Sequence, residues 1–231
     1  MNKKLLEFDG ILIEVLRKPI KNMHLRIYPP DGRVKISAPL RLRLELIHSQ
    51  LEAKREWIHT QRARLQTLPE SAPLKFESGE QYFYLGKRYT LIVHPSEQRS
   101  IQIDDGTLHC FINPNLPLPE KQKFLENWYR QQMKELLPAL ISKWEPLIGV
   151  NIATWVIKIM KTRWGSCNIQ KARISLNLNL IKKPLTCLEY VLVHEMVHLL
   201  EASHNKRFYT FMDQFLPQWR TLQKQLEAKL C

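Results

Sequence analysis

A chain of 231 residues is long enough for one large domain or two small ones. Its 44% hydrophobic content and only 7 glycines exclude a disordered or low-complexity protein. Thirty-five Lys and Arg against 22 Asp and Glu leave a formal charge of +13, which favours polyanionic partners such as nucleic acid, nucleotides or acidic surfaces over cationic ones, or simply makes a solubilising surface.

The charge is uneven: residues 1–66 carry 14 Lys/Arg against 7 Asp/Glu, a net of +7. The opening MNKKLLEFDG has the lysines of a signal peptide, but Glu7, Asp9 and Glu14 interrupt any apolar core too early for one. No run approaches the roughly 18 apolar residues of a membrane helix. Cys110, Cys167, Cys187 and Cys231 are widely spaced, without a CxxC pair, so no disulfide framework is expected. Together these features predict a soluble protein of the reducing cytoplasm.

Strands are expected at 11–17, 23–29 and 33–39, with Pro29-Pro30-Asp31-Gly32 turning between the last two. A helix is expected from about Leu42 to Leu65, with Leu44, Ile47, Leu51, Trp57 and Ile58 as an apolar stripe. The two prolines of LPESAPLKFESGE mark 68–80 as a linker. A hairpin at 81–95 turns at Gly86-Lys87, and RSIQIDD and TLHCFIN form another around Asp105-Gly106. A long helix from about Glu120 to Leu147 follows, then a strand at 155–161, TRWGSC at 162–167, and a strand at 172–180. Helices complete the chain from about Leu185 through His198 and from Trp219 to Leu230. No internal repeat is evident. Strands and helices are segregated, which predicts an α+β fold.

The chemistry concentrates in VLVHEMVHLLEASHNKRF, Val191 to Phe208. His194 and His198 are four apart, about 40° of rotation and about 6 Å of rise on a helix, so both rings can share one ion. Neutral imidazole is a good zinc ligand. Glu195, at the edge of that face, can reach a water held by the metal without ligating the ion itself: two ligands and one base, the division of labour in HExxH. A catalytic zinc usually takes three protein ligands. His204 is the third candidate, but on a continuous helix it would lie about 9 Å further along and about 120° off the face. The helix must therefore end after His198 and the chain turn back, with Asn205 the candidate for a left-handed residue if one is needed. Chance would give HExxH on the order of 0.02 times in such a chain. Three unpartnered buried imidazoles would also be costly.

HEMVHLLEASHNKRF resembles the HExxH-x5-H-x3-F signature of the YgjP-like metallopeptidases, relatives of the SprT-like and WLM zinc peptidases. TRWGSCNIQKARISLNLNLIKKPLTCLEYVLVHE resembles the stretch that precedes the site in that family, and GEQYFYLGKRYTLIV its mid-chain segment. Ala202-Ser203 departs from the family pattern, where many members carry a proline near the turn. The resemblance implies a zincin-like minimal metallopeptidase domain over 81–231, with the site helix beside a small sheet whose edge strand accepts an extended peptide, behind an N-terminal β-strand and helix region over 1–67. It also implies Zn2+ held by His194, His198 and His204, with Glu195 as general base.

Arg163, Trp164 and Gly165 are candidates for the rim of the site: Arg163 for an oxyanion, carboxylate or phosphate, Gly165 for close backbone approach. The competing reading pairs Arg163 with a structural acid and buries Trp164. Cys167 reads as a buried inert thiol rather than a fourth ligand. Asn177 and Asn179, on one strand face, are candidates to cap or orient the site helix. Three functions remain open. The first is a peptidase acting on protein or peptide. The second is a metal-dependent nucleoside triphosphate hydrolase using the same site, for which no P-loop or acidic two-metal cluster speaks. The third is a non-enzymatic protein that binds nucleic acid through the basic region.

Overall fold

The computed structural model describes residues 3–28, 31–66 and 75–228, and the chain divides into two compact units, 1–73 and 74–231. In the smaller unit, β1 (Lys3–Phe8), β2 (Ile11–Lys18), β3 (His24–Tyr28) and β4 (Arg33–Pro39) form one sheet in the order β1-β2-β4-β3. Asp9 and Gly10, at φ 54° and 70°, make the tight turn between β1 and β2. Ile11, Ile13 and Val15 of β2 and Val34, Ile36 and Ala38 of β4 alternate onto one buried face. Ile47 and Leu51 of α1 (Leu44–Glu52) and Ile58 of α2 (Arg55–Gln66) cover it.

The single helix expected over 42–65 is thus two. It breaks at Ala53-Lys54, where Arg55 reaches back to Glu52 at 2.8 Å and across to Asp9 at 2.9 Å. Strand β1 was not anticipated. The turn expected at 29–32 has Pro29 and Pro30 outside the described residues, as are 68–74 of the expected linker and Cys231.

The larger unit packs from Phe76 onward: Phe76 is buried, and Glu80 accepts the amides of Lys75 and Phe76 at 2.6 and 3.1 Å. Its first sheet is β5 (Gln81–Tyr84), β6 (Lys87–Pro95), β7 (Ser100–Asp104) and β8 (Thr107–Ile112), in the order β5-β6-β8-β7. This is the topology of the first sheet again: two antiparallel hairpins joined through a parallel inner pair, β2 with β4 and β6 with β8, each followed by helix. The expectation of no internal repeat is corrected at the level of topology. Alternating apolar patterns keep the faces of a sheet without keeping residue identities, so the repetition is faint in sequence.

Helix α3 (Leu118–Ile148) buries Leu125, Tyr129, Met133, Leu137, Ile141, Trp144 and Ile148, one stripe at intervals of three and four, and ends at Gly149 with φ 75°. A three-stranded sheet follows: β9 (Thr154–Lys158), β10 (Gly165–Asn168) and β11 (Arg173–Asn177), ordered β10-β11-β9. The strand expected over 172–180 stops at Asn177, because Leu178–Lys182 turn as a short 3-10 helix. Then come α4 (Leu185–Val197), α5 (Lys206–Phe215), which was not anticipated, and α6 (Trp219–Glu227). The fold is α+β, as expected. None of the described helices is long and apolar enough to cross a membrane.

Helix α4 is the centre of the larger unit. Leu188, Leu192, Val193, Met196 and Val197 have no exposed surface, and each such side chain contributes about 1.5–3 kcal/mol by burial. Polar links fix its place: Glu189 accepts from Lys143 at 2.6 Å and from the Trp144 indole at 2.8 Å. Ahead of it, the buried Lys183 ammonium donates to the Ala228 carbonyl at the end of α6. The β5-β6 turn docks there too, Leu85 and Gly86 donating to the carbonyls of Ile181 and Lys182 at 2.8 and 3.2 Å. A Cβ on Gly86 would meet Pro184 at 2.7 Å, so this approach requires glycine.

Candidate metal centre

His194 and Glu195 lie in the last turn of α4, and His198 is its C-terminal cap. The chain then closes tightly on itself: the amides of Leu199 and Leu200 donate to the carbonyls of Met196 and Val197 at 2.9 Å. This ends the helix, and His204 comes back over it. The Nε2 atoms of His194 and His204 are 3.0 Å apart, and the available nitrogens of His194, His198 and His204 all lie within 4.8 Å of one another. Asn205 is not left-handed. At φ −95° and ψ −175° it is extended, and its side chain accepts from the Phe208 amide at 3.1 Å to cap α5. No described residue between His198 and His204 has positive φ, so the turn needs neither glycine nor asparagine.

Two further features shape the cluster. His198 Nδ1 lies 3.1 Å from the Glu201 carbonyl, which accepts a hydrogen bond from the protonated Nδ1 and leaves Nε2 with its lone pair free. Fully buried Phe208 lies beneath all three imidazoles, with ring centroids 4.9, 4.7 and 4.7 Å from those of His194, His198 and His204. Burial, reinforced by His198 and His204, pushes His194 down to about 3. Burial also lowers His198. Both rings are therefore neutral at physiological pH.

These features fit a divalent cation with nitrogen affinity. Two nitrogens bound at about 2.0–2.1 Å to a tetrahedral zinc sit about 3.3–3.4 Å apart, close to the separation of His194 and His204. Among the described residues, this trio is the one cluster of three His, Cys, Asp or Glu side chains that could hold an ion.

Glu195 is 6% exposed, and burial pushes its carboxyl up to about 8, opposed by the positive charge of Arg163. Gly165 of β10 lies flat against it: a Cβ there would sit 2.5 Å from Glu195 Oε1 and 2.8 Å from Cγ. The close approach expected of Gly165 thus exists, and what it accommodates is the Glu195 carboxyl. Arg163 is exposed at the mouth and makes no ion pair among the described residues, against the reading that pairs it with a structural acid. Trp164 is half-buried, with the Lys183 ammonium 5.9 Å from its ring. Burial raises the Cys167 thiol to about 11, consistent with an inert thiol.

Asn177 does not cap the site helix. It is buried, and its Nδ2 donates to the carbonyls of Met160 and Arg163 at 2.9 and 2.8 Å, which pins the loop carrying Arg163 and Trp164. Asn179 donates its amide to Asn177 Oδ1 at 3.1 Å.

The cleft over the cluster has a volume of about 530 Å³. One wall is β10, an edge strand of its sheet. Another is α6, through Gln223, Leu226 and Glu227. The α6 wall was not anticipated, since those residues carry no metal-ligand pattern. Tyr190, one turn before His194, also lines the cleft, and its ring is 6.0 Å from that of His194.

No curated protein matches the chain. The chain is similar to the crystal structure of the metallopeptidase zymogen of Pyrococcus abyssi abylysin at 17% identity and a TM-score of 0.37, over 39% of this chain and 91% of that one. The model of the YgjP-like metallopeptidase domain matches residues 21–229, which include every residue of the cluster and its cleft. The chain belongs to the YgjP-like metallopeptidase family.

Proposed function

We propose that the protein is a zinc-dependent peptidase in which His194, His198 and His204 hold the ion and Glu195 is the general base. The observation that carries this reading is the return of His204 to within 3.0 Å of His194, with Glu195 buried beside the pair. When bound, zinc would supply Lewis acidity toward the scissile carbonyl and toward water.

The chain's own residues supply the rest. The charge of a bound dication would offset the burial that raises Glu195, and the ionised carboxylate accepts the proton of the attacking water and hands it to the departing amine nitrogen. Gly165 lets that carboxyl stand where no side chain intervenes. The Glu201 carbonyl holds the His198 ring in one tautomer. Arg163, at the mouth, offers its guanidinium to a developing oxyanion or a substrate carboxylate. Trp164 and Gly165 belong to the same rim.

A peptide is favoured over a nucleotide because β10 is an edge strand in the cleft wall and offers main-chain groups to an extended segment. Hydrolysis of a nucleoside triphosphate finds no acidic two-metal cluster among the described residues. Cys110, Cys167 and Cys187 are free, which suits a cytoplasmic setting.

The test is digestion of an unstructured protein, and in parallel of nucleoside triphosphates, by zinc-loaded wild type and Glu195→Gln. Proteolysis lost in the variant with zinc retained supports the reading. Phosphate release without proteolysis sinks it.

A further inference from the structure

A second concave surface lies in the smaller unit, far in sequence from the metal centre. A groove of about 640 Å³ runs beside β3, the edge strand of its sheet, and the helices α1 and α2. Lys21, His24, Arg26 and Lys54 line it, and no Asp or Glu does. Leu46 and Trp57 also line it, and they are 53% and 46% exposed. Trp57 stands out because the neighbouring Ile58 is fully buried: the helix spends its core position on isoleucine and turns the indole to the groove.

The charge is uncompensated. The acids of this unit that form ion pairs take other partners: Asp9 pairs with Arg55 and His59, Glu14 with Lys35, Asp31 with Arg33, and Glu52 with Arg55. Lys21, Arg26 and Lys54 form no ion pair among the described residues. The Lys54 ammonium instead lies 5.7 Å from the Trp57 ring. His24 and Arg26, two apart on β3, share a face.

We propose that this groove binds single-stranded nucleic acid, with phosphates on Lys21, Arg26 and Lys54 and a base stacked on Trp57. Unpaired cations that track a backbone, next to an exposed aromatic face, are the two elements of sequence-tolerant single-strand binding. An acidic peptide would satisfy the cations but would leave the indole without the flat partner its exposure offers. The peptidase chemistry would then act on proteins held near nucleic acid, but the groove assignment stands or falls without it.

The test is fluorescence anisotropy of the full chain with a labelled oligothymidylate of about 15 nucleotides, across a salt series. Three phosphate contacts predict a slope of log affinity against log salt near about −2, at about −0.7 per phosphate on a single strand. Arg26→Ala with Lys54→Ala should bring that slope close to −0.7. Trp57→Ala should weaken binding by about 5- to 150-fold, the loss of one stacked base. All variants are checked by thermal unfolding. The double variant has exposed side chains only and carries the test alone should Trp57→Ala lose its fold.

Three outcomes overturn the proposal: no oligonucleotide binding at low salt, binding that the groove variants leave unchanged, or groove-dependent binding of a polyglutamate peptide with none of the oligonucleotide.

Discussion

Placing one methyl group on Gly165 would test whether the position of the Glu195 carboxyl limits the chemistry. In Gly165→Ala the new Cβ would meet Glu195 Oε1 at 2.5 Å, Cγ at 2.8 Å and Cδ at 2.9 Å. Its three nearest atoms all belong to Glu195, so the push falls on the carboxyl and not on backbone. Gly165 is absent from the glycines of positive φ, so alanine is compatible with the local chain. Relief of the clash requires a retreat of about 0.5–1 Å, and a misplacement of about 1 Å can cost about 100-fold in rate. Crowding a buried site also costs about 1–3 kcal/mol of stability. The assay measures kcat/KM on an unstructured protein substrate, with zinc content and a urea unfolding curve for both proteins. The expected variant keeps its zinc, unfolds somewhat earlier, and loses about two orders of magnitude in kcat/KM. Activity within about threefold of wild type would refute the idea that β10 fixes the base.

His204→Ala removes one nitrogen from a three-nitrogen cluster, so zinc affinity measured by competition with a chelator should fall by more than the 10- to 100-fold typical of losing an outer partner. Asn177→Ala leaves the carbonyls of Met160 and Arg163 without their donor, and unfolding should show a loss of about 1–3 kcal/mol, with a rise in KM as the Arg163 loop loosens. In the smaller unit, the hydrogen bond from His59 and the charge of Arg55 hold the Asp9 carboxyl below its ordinary value of 3.8. The unfolded state then binds more protons, so this contribution is fully present above that value and is lost as pH falls through the depressed one. Asp9→Asn should blunt the acid loss of stability followed by circular dichroism, and an unchanged acid profile would contradict the sign.

What was legible in the sequence was local. The four-residue spacing of His194 and His198, with Glu195 between them, needs only helical geometry, and α4 supplies it. That the helix had to end before His204 also followed from geometry. How it ends did not. Asn205 was the natural candidate for a left-handed residue, yet it serves as the N-cap of α5, because an exposed amide at a helix start competes for the same side chain. Helix α5 itself was missed: KRFYTFMDQF is short, and its buried members are Phe208 and Met212. The wall made by Gln223, Leu226 and Glu227 was invisible, since nothing in those residue types signals a cleft until the chain folds back. Asn177 was singled out for the right region and the wrong contact. It holds the backbone of the loop ahead of the site, a long-range bond that strand periodicity cannot specify.

The most direct measurement is X-ray absorption at the zinc edge on the zinc-loaded protein. The expected result is about one zinc per chain with three imidazole nitrogens at about 2.0–2.1 Å and no sulfur. A sulfur scatterer at about 2.3 Å would bring Cys167 into the site, and a chain that retains no zinc would contradict the metal centre itself.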